Sequence, residues 1–242
     1  MPDTQSALAL LETALRQGQA YGRLTDTHAH RAVREDSLGL IQGRDQLIAD
    51  WTDKGPQSLL ITADLGDMIA FTVTVEGRAW RGHRWVWRED GRVIREVLVE
   101  DGGGHRAAPA GHPPLGELRA GEGQYGAGPG AILPPDFPLS AQALADKLHV
   151  AWNGRAFDLY SADWLTALVR ALPDATFYFE RAIVLGEDTA ILWRVHGHHA
   201  NGQRVRLIGS SVMGENTDDT VLDHAAMAAQ LNRPMIDYSK AG

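Results

Sequence analysis

Apolar residues recur at helical spacing near the start of the chain, where Ala7, Leu8, Leu11, Ala14 and Leu15 share one face behind the cap candidates Thr4 and Ser6. A second stripe of the same kind, Leu144, Leu148, Ala151 and Trp152, follows Ser140. Both predicted helices run into a Gly-Arg element, from Tyr21 to Asp26 in one case and from Asn153 to Asp158 in the other. Further helices are predicted at 43–51, with Leu47, Ile48 and Trp51 on one side, and at 161–170, with Trp164, Leu165, Leu168 and Val169. The period then drops to two, and residues 68–76 and 189–196 read as strands entered through turns at 65–67 and 186–188. Second strands at 80–88 and 204–213 follow, and an acidic turn leads each time into a last strand, at 89–94 and 217–222.

Helices first and strands last, twice over, predict an α+β fold in which helices pack on one face of a curved antiparallel sheet. Such a unit is a cone with a pocket between its two layers. Residues 102–138 break the pattern with 10 glycines and 7 prolines in 37 positions, too little apolar surface to offset the entropy of ordering. The predicted organisation is therefore a first domain at 1–101, a Gly/Pro-rich linker at 102–138 and a second domain at 139–242. With so long a linker, one chain can supply both halves of a pseudo-dimer packed sheet to sheet.

Composition narrows the chemistry. The chain of 242 residues carries a formal charge of −8, which disfavours a nucleic acid as partner. With no cysteine, thiolate nucleophiles, iron–sulfur clusters and zinc–thiolate sites are excluded. The first residues lack the basic start and apolar run of a secretory signal, and no apolar stretch approaches the roughly 18–20 residues that cross a bilayer. A cytoplasmic location without a membrane partner is the expectation. No recognised spaced metal motif is present, and the Gly-rich linker lacks the Lys-Ser/Thr of a phosphate loop, so neither a metal nor a cofactor is expected.

The second half carries a set of ordered motifs: Leu172 to Ala175, the strand to Glu180, Gly186 to Arg194, Gly197-His198-His199, and Val221 to His224 with Gln230 and Leu231 behind. In these it resembles the SnoaL-like polyketide cyclases, within the nuclear transport factor 2-like superfamily that includes the ketosteroid isomerases. The first half resembles the same module through Gly43 to Leu47, Asp90 to Glu96 and Asp101. The resemblance implies two tandem cone-shaped barrels. It also implies cofactor-free proton transfer, in which a pocket carboxylate removes a proton beside a carbonyl of a small apolar substrate.

Asp223 stands where the resembling cyclases keep an acidic residue on the final strand, and if it faces a pocket, desolvation makes it a better base. The alternative is that it faces solvent beside Asp218 and Asp219. The colinear residue of the first half is Arg95, followed by Glu96, which leaves that half without the base. His199 matches the histidine of the family's Gly-Thr-His strand end and is the candidate to polarise a substrate oxygen; a solvated strand end competes. His83 and Trp85 of the first half, and Tyr178 and Trp193 of the second, are candidates for substrate contact, with core packing as the alternative for the aromatics. His28 and His30 read as surface decoration in a segment rich in Arg31, Arg34, Glu35 and Asp36. Because histidines and acids are scattered between the halves, a rival reading remains: a non-catalytic ligand-binding or assembly module. An enclosed cavity in the second half lined by both Asp223 and a histidine favours the enzyme, and a filled core there favours the rival.

Overall fold

The computed structural model describes residues 5–36, 39–101, 131, 133–160, 162–215, 217–223, 226–227 and 230. They fall into two compact units, Met1–Gly116 and Glu117–Gly242. Most of the Gly/Pro-rich stretch lies outside the described residues, but Ala131, Leu133 and Phe137 pack against the core of the second unit.

The first unit runs α1 (Ala7–Arg16), α2 (Ala20–Thr27), β1 (His28–Asp36), β2 (Gly39–Gln42), α3 (Arg44–Asp53), β3 (Ser58–Asp64), β4 (Met68–Val75), β5 (Arg78–Glu89) and β6 (Arg92–Glu100). Ser6 caps α1 by accepting a hydrogen bond from the Ala9 amide at 3.1 Å, satisfying one of the free N–H groups of the first turn. The strands form one sheet in the order β2-β1-β6-β5-β4-β3. Asp90 and Gly91, both at positive φ, close the β5–β6 hairpin with the backbone that a two-residue turn needs.

This sheet is mixed, where the sequence pattern predicts an antiparallel one: β1 runs parallel to β6, pairing Arg34 with Glu96 and Asp36 with Leu98. β1 and β2 escape the pattern because β1 is rich in charge. Its alternation hides in Arg34 and Asp36, which are buried alongside Ala32. His28, expected on the surface, is fully buried at the start of this strand, while His30 is exposed. β3 also escapes as a strand, because its partly exposed edge residues lack a clean apolar face.

The second unit runs α4 (Leu139–Trp152), α5 (Asp163–Ala171), β7 (Thr176–Leu185), β8 (Asp188–His198), β9 (Arg204–Met213) and β10 (Asp218–Leu222), with an all-antiparallel sheet ordered β10-β9-β8-β7. Both units are mixed α+β with helices ahead of a meander. They are not equivalent, since no described residue of the second forms a counterpart of β1 and β2. The Gly-Arg element is helical in the first unit, within α2, and a run of turns in the second. No described helix is long and apolar enough to cross a membrane.

The core of the second unit is aromatic. Trp152 meets Tyr160, Trp164, Phe177, Phe179 and Trp193 with ring centres 5.2–5.9 Å away, largely in edge or tilted contacts. Trp193 stacks on Trp164 and donates its indole N–H to the Ser211 hydroxyl at 3.0 Å. Gly209 lies across the sheet from Trp193, whose ring occupies the space a Cβ there would need. Beyond β10, the Gln230 carboxamide takes over the edge of β9: its Oε1 accepts from the Arg206 amide at 2.8 Å and its Nε2 donates to the Arg206 carbonyl at 2.6 Å.

Because the Trp193 ring is boxed in by other rings, Gly209→Ala is expected to destabilise the second unit by about 1–3 kcal/mol. Urea unfolding followed by tryptophan fluorescence measures this, and an unchanged midpoint would show that the ring can yield.

Candidate functional site

Between the helices and the sheet of the first unit, the apolar pattern is broken by charge. Glu12 and Arg16 lie one turn apart within the stripe of Leu8, Leu11 and Leu15, so α1 turns them inward with its leucines. On the sheet, Arg84 shares the helix-facing side of β5 with Val86. Glu96 is paired with Val86 on one flank and with Arg34 of β1 on the other. Three neighbouring strands thus present Arg34, Glu96 and Arg84 toward α1 and α3.

The contacts form a chain of alternating charge. Arg16 donates from Nε to Glu12 at 2.7 Å, and the second oxygen of Glu12 lies 2.7 Å from Nε of Arg84. Arg84 donates from Nη1 to Glu96 at 3.1 Å, and the same Glu96 oxygen is 3.3 Å from Nε2 of His28. Arg34 reaches Asp50 at 2.5 Å and Asp36 at 3.6 Å, while Lys54 meets Asp50 at 2.8 Å. Arg16 also binds Gln57 and, at 2.7 Å, Glu100. At the centre lies the buried Trp51 of α3, with Arg16, Lys54 and Arg84 within 5 Å of its ring centre and Arg34 at 5.8 Å.

Glu12, His28, Arg34, Arg84 and Glu96 are all fully buried. Burial alone would push the Glu96 carboxyl up, but the charge of Arg84, the hydrogen bond from His28 and the charge of Arg34 overcome it and hold the group down at about 2. Desolvation is likewise the largest influence on Arg34 and Arg16 and acts to lower them. The carboxylates of Asp50, Asp36 and Glu96 around Arg34, and of Glu12 and Glu100 around Arg16, more than offset it, so both stay charged. Among the described residues, Nη1 of Arg34, Nη2 of Arg84, Nε1 of Trp51 and Oε1 of Glu96 have no hydrogen-bond partner.

The residues singled out from sequence lie elsewhere. His83 and Trp85 are buried on β5, but they alternate with Arg84 and Val86 and so point to the face away from the helices. Tyr178 lies on the face of β7 opposite Phe177 and Phe179, with its hydroxyl 2.5 Å from Nε2 of His196; Trp193 belongs to the helix-facing core. The two therefore belong to opposite faces of their sheet. Asp223 is 7% exposed and accepts a hydrogen bond from the Ala226 amide at 2.9 Å, which answers the solvent alternative. His199 sits in the β8–β9 turn, where its Nδ1 accepts from the Asn201 amide at 3.4 Å. Their strand neighbours Leu222 and His198 stand opposite Gly209 and Arg204, five residues apart on β9, or roughly 16 Å. No described group of three or more His, Asp or Glu side chains is placed to hold a metal ion.

The sequence carried a signal for the buried cluster, the pair Glu12 and Arg16 inside a leucine stripe. The resemblance directed attention to Arg95, one position short of the carboxylate that faces inward.

No family model and no curated protein matches the chain. Among solved structures it is similar to an NTF2-like protein of unknown function from Mesorhizobium loti, at 18% identity and a TM-score of 0.35 over 42% of this chain and 98% of that one. A second NTF2-like protein, from Burkholderia xenovorans, is 18% identical with a TM-score of 0.34, over 44% of this chain and 84% of that one. A protein with a ketosteroid isomerase-like fold from Catenulispora acidiphila is 15% identical with a TM-score of 0.31, over 39% and 85% of the two chains.

Replacing Glu96 by Gln leaves Arg84 with less compensation in a buried setting, and is expected to cost the first unit about 3–5 kcal/mol. Because Glu96 has a lower value folded than unfolded, its stabilisation is present above about 4.5 and is lost as the pH falls from there toward about 2. Acid titration of stability by circular dichroism should show a shallower dependence in Glu96→Gln than in the parent over that range.

Proposed function

We propose that the chain is a ligand-binding module whose first unit receives a small molecule between its helices and sheet, without proton-transfer catalysis. The observation that carries this reading is the contrast between the two interiors. In the first unit the layer between helices and sheet is polar and retains N–H donors that no described residue uses. In the second, aromatic rings centred on Trp152, whose own indole N–H likewise has no partner among the described residues, pack the corresponding layer, the condition that favours a non-catalytic module. The buried carboxylate with a resolved shift, Glu96, is held ionised by guanidinium and is a weak base, the reverse of what abstraction of a carbon-bound proton requires.

A second reading is favoured by the burial of Asp223: a cofactor-free cyclase, isomerase or lyase of the SnoaL-like kind acting on a small apolar carbonyl compound. There Asp223 takes the proton, His199 bonds the carbonyl oxygen, and either Tyr178 or Trp193, on opposite faces of the same sheet, contacts the substrate. The separation of Asp223 from His199 along the sheet weighs against it.

Hydrogen–deuterium exchange beside the carbonyl of cyclohexanone and ethyl acetoacetate, followed by proton NMR, separates the two. The binding-module reading expects the parent protein and Asp223→Asn to give the same rate as buffer. A parent rate that falls about 100-fold or more in Asp223→Asn would establish Asp223 as a base and overturn it.

A further inference from the structure

The sequence contains two Asn-Gly dipeptides, Asn153-Gly154 and Asn201-Gly202, and the second unit holds them in opposite states. Glycine after asparagine leaves the next backbone nitrogen unshielded by a side chain, so that it can reach the carboxamide carbon. Asn153 follows α4 and commits its carboxamide to the start of β7. Its Oδ1 accepts from the Phe177 amide at 2.8 Å, while its Nδ2 donates to the Phe177 carbonyl at 3.0 Å and lies 3.0 Å from Nδ1 of His149. At Gly154 the Val150 carbonyl oxygen occupies the space a Cβ would need, so the backbone there is closed in.

Asn201 lies exposed in the β8–β9 turn. Its Oδ1 accepts from the Gln203 amide at 3.0 Å, a bond that folds the carboxamide back over the intervening Gly202 nitrogen and polarises its carbonyl. Among the described residues none bonds its Nδ2. Gly202, at a φ of 81°, has open space within 4 Å of its Cβ position. The restraint on its nitrogen is the N–H bond to the His199 carbonyl at 2.7 Å.

We propose that Asn201 is a site of intramolecular deamidation, a covalent modification whose only co-reactant is water. The Gly202 nitrogen forms a bond to Cγ of Asn201 and closes a five-membered imide. The bond from Cγ to Nδ2 breaks, and Nδ2 leaves as ammonia with the proton that Gly202 gives up. Water then adds to one of the two imide carbonyl carbons. Addition at Cγ breaks the new bond and leaves aspartate; addition at the main-chain carbon breaks the original peptide bond and leaves isoaspartate, which routes the main chain through the side-chain carbons. Nothing is oxidised or reduced. Either product adds a negative charge to the turn that joins His198 to Arg204, and isoaspartate lengthens that connection.

The test incubates the full chain in mildly alkaline buffer made with 18O-enriched water, so that each conversion takes up a heavy oxygen. Trypsin then releases Leu148–Arg155 and Val195–Arg204, each carrying one of the two Asn-Gly dipeptides, for fragmentation by mass spectrometry. The same two peptides, already cut free, are incubated in parallel. In the folded chain Asn201 is expected to convert at least about tenfold faster than Asn153, which must first give up its bonds to Phe177. The free peptides convert at similar rates, and the labelled product at position 201 includes isoaspartate. Equal rates at the two positions of the folded chain, or a difference that the free peptides reproduce, would overturn the assignment. So would a product at 201 without isoaspartate, the mark of direct hydrolysis.

Discussion

Taking a guanidinium out of water costs several kcal/mol even after the surroundings relax, and the first unit does so three times within one layer. The requirement to offset that desolvation organises the unit. Glu12 must sit on the inward face of α1 and Glu96 on the inward face of β6, because each spans two cations: Arg16 and Arg84 for the first, Arg84 and Arg34 for the second. The parallel pairing of β1 with β6 brings Arg34 beside Glu96; a slip of one residue would turn Arg34 to the other face and strip the carboxylate of a partner. Electrostatics therefore specify register here as strongly as apolar burial does elsewhere in the sheet.

The second unit solves the same packing problem by the opposite means. Its helices and sheet are joined by rings, and the polar atoms among them are few and local, such as the Trp193 N–H satisfied by Ser211, which in turn accepts from Thr220 at 2.9 Å. Edge and tilted ring contacts fill volume without charge, at the cost of tolerance: Gly209 is the residue that lets the Trp193 ring lie flat against β9. Two units with similar element order thus have interiors of different chemistry, one aromatic and the other ionic.

How far the sequence disclosed this depended on whether apolar periodicity was intact. The helical stripes of α1 and α3, and the alternation in β4, β8 and β9, follow directly from leucine, valine and tryptophan spacing, as do the Asp90-Gly91 and Gly186 turns. β1 was hidden because its inward positions include Arg34 and Asp36, so its period-two pattern is written in residues ordinarily read as surface. The same substitution of charge for apolar side chains hid the cluster. A carboxylate at an inward position looks like a break in a stripe until the compensating cation, here on a distant strand, is known. Asp223 was legible as an acid at the end of the last strand. Its hydrogen bond to the Ala226 amide depends on the path of the chain after that strand, on which spacing is silent.

Gln230 carries a consequence of its own. β10 covers β9 only as far as Gly209, and without Gln230 the amide and carbonyl of Arg206 would offer a rung that an extended peptide from another molecule could lengthen. By occupying both groups with one carboxamide, the chain supplies a counterfeit strand a single residue long, closing that rung to recruitment and ending the sheet from within.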